Sequence, residues 1–358
     1  RLHTAYREEQ LALADQRADP AVQAGSGTRA VDAVAEVRRF LAARRNNFPA
    51  IDDAAETLAE AIAAHAGVAA YLSARHKLRV RPMPSSAMGG MVRRHDPHHA
   101  AIFLDEGLDR DSRAFQLALQ VAYLEFGAHF DQALNGAQFS SDNGRRLARR
   151  ALANYAAAAI QMPYTAFAEA AADKRYDVEA LARQFGSSFE QVAHRLTTLQ
   201  RPANRHVPFF FIRVDAAGNV SKRLDGAGFP FAGHGGGCPL WSVHQVFRTP
   251  GQVVTQWLEL PDGQRFFSIA RTVGAGGGSH GAARIERALA LGCAAEHAGR
   301  LVYTQGGPPS PQDVTPIGIT CSLCQRDHCS ARAVPPLGRQ ILPDDYHRRR
   351  APFGFADD

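Results

Sequence analysis

Cysteine is scarce in this chain, with five among 358 residues, alongside four methionines and two tryptophans. So few thiols exclude a disulfide scaffold, because a chain of this size builds its own core without covalent staples. Long hydrophobic runs are missing as well. The longest apolar stretch, residues 151–162, contains Asn154 and Gln161 and is too short and too polar to cross a bilayer. No start of positive charge, apolar run and small residues marks a secretory signal, and the chain opens on Arg1 rather than methionine. The glycines at 276–278 are not followed by a Lys-Ser/Thr pair, so they are not a phosphate-binding loop.

What is present is a globular composition, 45% hydrophobic and 21% charged, in a chain long enough for two cores. A net charge of +6 permits an anionic partner, although surface arginines commonly have none.

Three of the five cysteines, Cys321, Cys324 and Cys329, fall within nine residues. Thiols at this spacing converge on one centre only if the backbone between them turns tightly, as in metal and cluster motifs. A fourth thiolate must then come from Cys293 or Cys238. Cys293 is preferred, because Gly292 before it allows close backbone approach to a bulky cofactor. Cys238 precedes Pro239 in an apolar setting that also suits a core thiol. The expected centre is a [4Fe–4S] cluster. Zinc is the alternative, with His328 as a possible ligand, although the spacing lacks the second Cys-x-x-Cys of a zinc ribbon. The plainer reading, a set of buried thiols, is at odds with the crowding of three cysteines.

Helical periodicity marks residues 2–13, 31–41, a stretch from Asp52 or Asp53 to Ala66, and 68–76. Residues 77–84 alternate as a strand, and Arg93 to His99 read as a hairpin turn whose His95, His98 and His99 are most simply solvent-exposed. Beyond Arg201-Pro202 the composition turns aromatic and β-branched. Hairpins are expected around 215–219 and 261–263, with a short helix at 241–247. These signals divide the chain into a helical connector (1–45), a mainly helical domain (46–202), an α+β domain with the thiols (203–345) and a tail (346–358).

The run Phe-Gln-Leu-Ala-Leu-Gln-Val-Ala-Tyr-Leu-Glu-Phe-Gly at 115–127 resembles the active-site helix of ImmA/IrrE-type metallopeptidases. Leu119, Gln120 and Tyr123 stand where that family places its two histidines and its glutamate. Leucine offers a metal no lone pair and glutamine cannot take a proton from water, so the zinc chemistry is lost. Arg150 and Leu152 occupy the positions of the later glutamate.

Nearly the whole chain is similar to the actinobacterial short-chain fatty-acyl transcriptional regulators, which include regulators of the methylcitrate and glyoxylate pathways. The matching signatures are Ala-Tyr-Leu-Glu-Phe-Gly at 122–127, Leu-Ala-Asn-Tyr at 152–155, the run at 195–202, Cys-Pro-Leu-Trp at 238–241, Leu-Gly-Cys at 291–293, and the thiol run through Arg332. The resemblance implies a cytoplasmic, homo-oligomeric, acyl-CoA-responsive regulator rather than an enzyme. Its C-terminal domain would carry an iron–sulfur cluster, and a DNA-binding helix–turn–helix domain would stand ahead of Arg1. The expected fold class is α+β, a mainly helical degenerate zinc-peptidase-like domain followed by an α+β sensory domain with a cysteine-ligated centre. The relic cleft would hold acyl-CoA, with Arg45, Arg79, Arg195 and Arg201 on the phosphates, Phe139 and the Leu119 face as apolar wall, and Tyr123 near the thioester. Taken singly, each of these arginines is more simply a surface residue, and Phe139 ordinary core. The rival reading is a cluster- or zinc-containing redox switch or enzyme that binds no acyl-CoA.

Overall fold

Apolar residues recurring every three or four positions build the first part of the chain as a helical unit, residues 29–207. The computed structural model describes residues 27–202, 206–231, 237–275, 285–304, 307 and 309–356, with side chains from residue 33. The expected helix at 2–13 and the glycines at 276–278 lie outside the described residues. Helix α1, Gly27–Ala43, and α2, Pro49–Ala64, are joined by a turn in which Arg45 and Asn46 take left-handed φ of 49° and 54°. Pro49 opens α2, where its missing N–H costs nothing. Helix α3 is Val68–His76. A three-stranded sheet follows, ordered β1-β3-β2, with β1 Arg79–Met83, β2 Arg93–Asp96 and β3 Ala101–Asp105. The expected hairpin is β2 and β3, with His99 held by Asp96 at the turn and His95 on β2 itself.

The core of this unit is the pairing of α4, Arg110–Glu125, with α6, Asp142–Gln161; the short α5, Gly127–Leu134, links them. Asp109 and Ser141 start the two long helices by accepting the amides of Ser112 and Gly144, which satisfies donors that the first helical turn leaves unpaired. Small buried residues on both (Ala118 and Ala122; Ala148, Ala153 and Ala156) let the backbones approach closely. Helices α7, Tyr164–Asp173, α8, Val178–Phe185, and α9, Phe189–Leu196, complete the unit. A boundary at 45/46 does not hold: Phe40 of α1 is buried against Phe48 and Phe139, and Glu36 accepts the amide of Ser140.

The second unit, residues 208–273 and 286–356, is built on a six-stranded sheet of order β5-β4-β8-β7-β6-β9. The strands are β4 Phe210–Val214, β5 Val220–Asp225, β6 Val254–Glu259, β7 Arg265–Ala275, β8 Ile285–Ala294 and β9 Val314–Pro316. Both expected hairpins form. Asp215 accepts the amides of Ala217 and Asn219 in one, and Gly263 takes φ 82° in the other. In place of a helix at 241–247 stand two 3-10 turns, Ser242–His244 and Val246–Arg248. Side chains alternate across the strands. Phe210, Ile212, Val214, Ala288, Ala290 and Leu258 share one face, and the segment carrying Phe229, Cys238, Trp241 and Val243 packs on it. Within the expected tail, Phe355 is buried and bridges to Ile341 of the same unit.

Candidate functional site

Four of the five cysteines line one recess in the sheet unit: Cys238, Cys321, Cys324 and Cys329, together with Arg326 and Arg332. The backbone turns at each cysteine of the run. Residues 321–323 form a 3-10 turn, the Cys324 amide donates to the Cys321 carbonyl at 3.3 Å, and the Arg332 amide donates to the Cys329 carbonyl at 3.3 Å. Arg332, only 5% exposed, donates to the carbonyls of Cys321 at 3.4 Å and Cys324 at 3.0 Å and also to that of Arg326. Arg326 in turn donates to the carbonyls of Ile317 at 3.2 Å and Glu259 at 2.7 Å, which fastens the loop to the end of β6. Two guanidinium groups thus fasten the loop and line the recess. Arg326 lies inside the thiol run and Arg332 three residues after it, which is the one signal the sequence carries for them.

Amides also reach the sulfurs. Ala333 donates to the Cys321 Sγ at 3.5 Å, and Gly318 and Leu240 donate to that of Cys238. Burial raises the Cys238 thiol, an effect these amides oppose and the nearby Cys321 and Cys324 reinforce.

Cys293, the preferred fourth ligand from sequence, is not at the recess. It follows Gly292 on β8, and Gly292 shares the face of Phe210, so Cys293 points to the other side of the sheet from Cys238 and Trp241. Gly292 makes room for a ring: a Cβ there would stand 2.3 Å from the Phe210 Cζ. Burial pushes the Cys293 thiol up to about 12. Cys238, the alternative to Cys293, lines the recess. His328 is exposed, with a left-handed φ of 53°, and lies outside the recess lining. Among the described residues, no three His, Cys, Asp or Glu side chains are grouped so as to hold a metal ion.

In the helical unit, the relic peptidase positions have been filled differently. Leu119 and Gln120 are buried, whereas Tyr123 is 40% exposed and lies beneath the Arg93 guanidinium, 5.4 Å from its ring. Arg150 is exposed and Leu152 is core. Of the expected phosphate contacts, Arg195 is corrected outright. It is fully buried, paired with the buried Asp52 at 2.8 Å, and it donates to the Met162 carbonyl and the Thr198 hydroxyl. Tyr155 donates to the same carboxylate at 2.7 Å and accepts the Phe48 amide. Burial lowers the Arg195 guanidinium, and the charges and hydrogen bonds of Asp52 and Tyr155 together more than reverse it; burial and Asp52 together raise the Tyr155 hydroxyl. This network joins α2, α6 and α9, and its donors are already engaged. Arg201 is partly buried, paired with Asp53 at 2.7 Å and stacked on Tyr164 at 4.1 Å. Phe139 packs on Phe40, while Arg45 and Arg79 are exposed.

Comparison with known proteins agrees with this division. The family described as IrrE N-terminal-like domain matches residues 73–197, and the family described as Short-chain fatty acyl coenzyme A regulator, C-terminal, matches residues 198–353. The HTH-type transcriptional regulator RamB of Mycobacterium tuberculosis is 40% identical over 89% of the chain, which covers 69% of that protein. The chain belongs to the short-chain fatty acyl-CoA regulator family. Within that family, the propionyl-CoA carboxylase regulator of Cereibacter sphaeroides is 39% identical over 99% of the chain and 76% of its own length. A solved Mycobacterium tuberculosis transcriptional regulator superposes with a TM-score of 0.82 at 36% identity, covering 88% of this chain and 98% of that one. These relatives carry the names of regulators, not of peptidases. No helix among the described residues is long and apolar enough to cross a membrane.

Proposed function

We propose that the chain is the ligand-sensing portion of a transcriptional regulator of short-chain fatty acid metabolism, holding a [4Fe–4S] cluster and responding to an acyl-CoA. The observation that carries the cluster is the convergence of Cys238 with Cys321, Cys324 and Cys329 on one recess. Four thiolates are the ligand set of such a cluster, and Arg326 and Arg332 offset the negative charge that gathers when they deprotonate. A structural zinc draws its four ligands to one ion at about 2.0–2.3 Å, whereas a cluster takes each thiolate on a different iron. When bound, the cluster supplies a redox-active centre; Cys238, Cys321, Cys324 and Cys329 hold it, and the amides on sulfur tune it.

The acyl-CoA reading rests on the family's description and on the names of the relatives. DNA contact is assigned to a helix–turn–helix domain, on the strength of a relative named as an HTH-type transcriptional regulator. The exposed Arg45 and Arg79 remain the phosphate contacts, with Tyr123 as the polar group facing solvent, while Arg195 leaves the set. Calorimetry with propionyl-CoA, CoA and propionate tests this. Propionyl-CoA is expected to bind, and Arg79→Ala to weaken it about ten- to a hundred-fold, the loss of one charge-assisted contact of about 1.5–3 kcal/mol. Absence of binding by any CoA species would leave a cluster-only redox switch.

A further inference from the structure

Arginine is concentrated on one helix. Helix α6 carries four of them within six residues, Arg145, Arg146, Arg149 and Arg150, and at about 100° per residue they fall on one arc of about 140°. Gly144, Ala148 and Leu152 are buried on another side of the same turns, whereas Arg145, Arg146 and Arg150 are exposed. Arg149 has a partner: it pairs with Asp131 of α5 and stands over the Phe130 ring at 5.4 Å. The other three make no ion pair or side-chain hydrogen bond among the described residues. Two further carboxylates are near. Asp142 lies on the same arc at the first helical position, where the helix dipole favours an acid, and Glu36 of α1 accepts the amide of Ser140.

This arrangement works against the helix that carries it. Arg145 with Arg149, and Arg146 with Arg150, are like charges four apart, which destabilise a helix. Arg145 also closes the first turn, the end at which the dipole disfavours a cation. Glutamine has nearly the same helix propensity as arginine and would fill these exposed positions without the repulsion. The charges therefore serve something outside the fold.

We infer that this arc of α6 binds the phosphate backbone of duplex DNA, as a contact separate from any helix–turn–helix domain. Guanidinium groups match phosphate oxygens in geometry as well as in charge. From Arg146 to Arg150 the helix rises about 6 Å, and each DNA strand carries a phosphate about every 3.4 Å, so arginines spread along the arc meet several phosphates where one small anion would meet one. Such contacts position a protein on the duplex and add affinity without reading sequence. The choice of DNA as the polyanion rests on the regulator reading above.

The test uses the full chain and a labelled duplex of arbitrary sequence, with fluorescence anisotropy read between about 50 and 200 mM salt. Three phosphate contacts contribute about 2.7 to the steepness with which log affinity falls against log salt. The triple variant Arg145→Gln, Arg146→Gln and Arg150→Gln is expected to lose that amount. Its thermal midpoint is expected to hold or rise, because like charges are relieved; a fall would show that the arginines serve the fold and would overturn the inference. Arg150→Gln alone, with an expected loss of about 0.9, serves if the triple variant does not fold. A control triple, Arg81→Gln, Arg110→Gln and Arg248→Gln, removes the same charge from other exposed positions and is expected to leave the salt dependence unchanged. Equal loss in both triples would mean that net charge alone attracts the duplex. No duplex binding at the lowest salt, or binding of dextran sulfate through these arginines without the duplex, likewise overturns the site. Calorimetry with propionyl-CoA on the same samples reports on the regulator reading separately: propionyl-CoA bound and no duplex bound would sink the α6 contact alone.

Discussion

Cys238 and Cys293 differ in which face of one sheet they serve, and their replacement by serine separates the two roles. Cys238→Ser is expected to lose most of the bound iron, because it removes one of four thiols at the recess, whereas Cys293→Ser is expected to keep it. The same contrast has a chemical readout. With its thiol pushed up to about 12 by burial, Cys293 stays protonated at pH 8 and is expected to resist iodoacetamide until the chain unfolds. Iron retained in Cys238→Ser and lost in Cys293→Ser would reverse the assignment. Arg195 makes a different prediction. Its pairing with Asp52 is wholly buried, so Arg195→Ala leaves a carboxylate stranded in the core and is expected to cost about 3–5 kcal/mol of stability. Urea unfolding followed by circular dichroism measures this, and a loss below about 1 kcal/mol would mean the pair behaves as a surface salt bridge.

Among the elements, the thiol loop and the C-terminal segment hold each other. Phe355 lies between two guanidinium groups, Arg339 at 4.2 Å and Arg332 at 5.6 Å, and Arg339 also pairs with Asp327 inside the thiol run at 2.6 Å. The amides of Leu342 and Ala356 close the hairpin on the carbonyls of Gly354 and Gln340. Phe355→Ala is expected to speed amide exchange across residues 321–333 and to shorten the lifetime of the bound centre in air. Unchanged exchange there would show that the C-terminal segment is merely packed nearby. Elements such as these divide by range in what the sequence discloses. The hairpins at Asp215–Asn219 and at Gly263 were legible because the residues that make them are local. The partnership of Cys238 with a run far along the chain was not, since it depends on which face each segment covers. The burial of Arg195 did leave a trace. Val192 and Arg195 are three apart on α9, Asp52 and Ala55 three apart on α2, and each charge thus sits on an apolar stripe.

At the scale of the molecule, the helical unit keeps a peptidase-like arrangement without its metal chemistry, and the sheet unit gathers the thiols. Gln120 is buried and Tyr123 projects beneath Arg93, so the old ligand face offers neither a metal ligand set nor a general base. In place of that chemistry the chain has a recess lined by four cysteines with Arg326 and Arg332, and what that recess holds decides its role. The most direct measurement is an anaerobic absorption spectrum of the unmodified chain, with iron, acid-labile sulfide and zinc counted on the same sample. A broad cluster absorption with about four irons and four sulfides per chain is expected, lost together in Cys238→Ser. Stoichiometric zinc with no sulfide, or a colourless protein carrying neither metal, would contradict it.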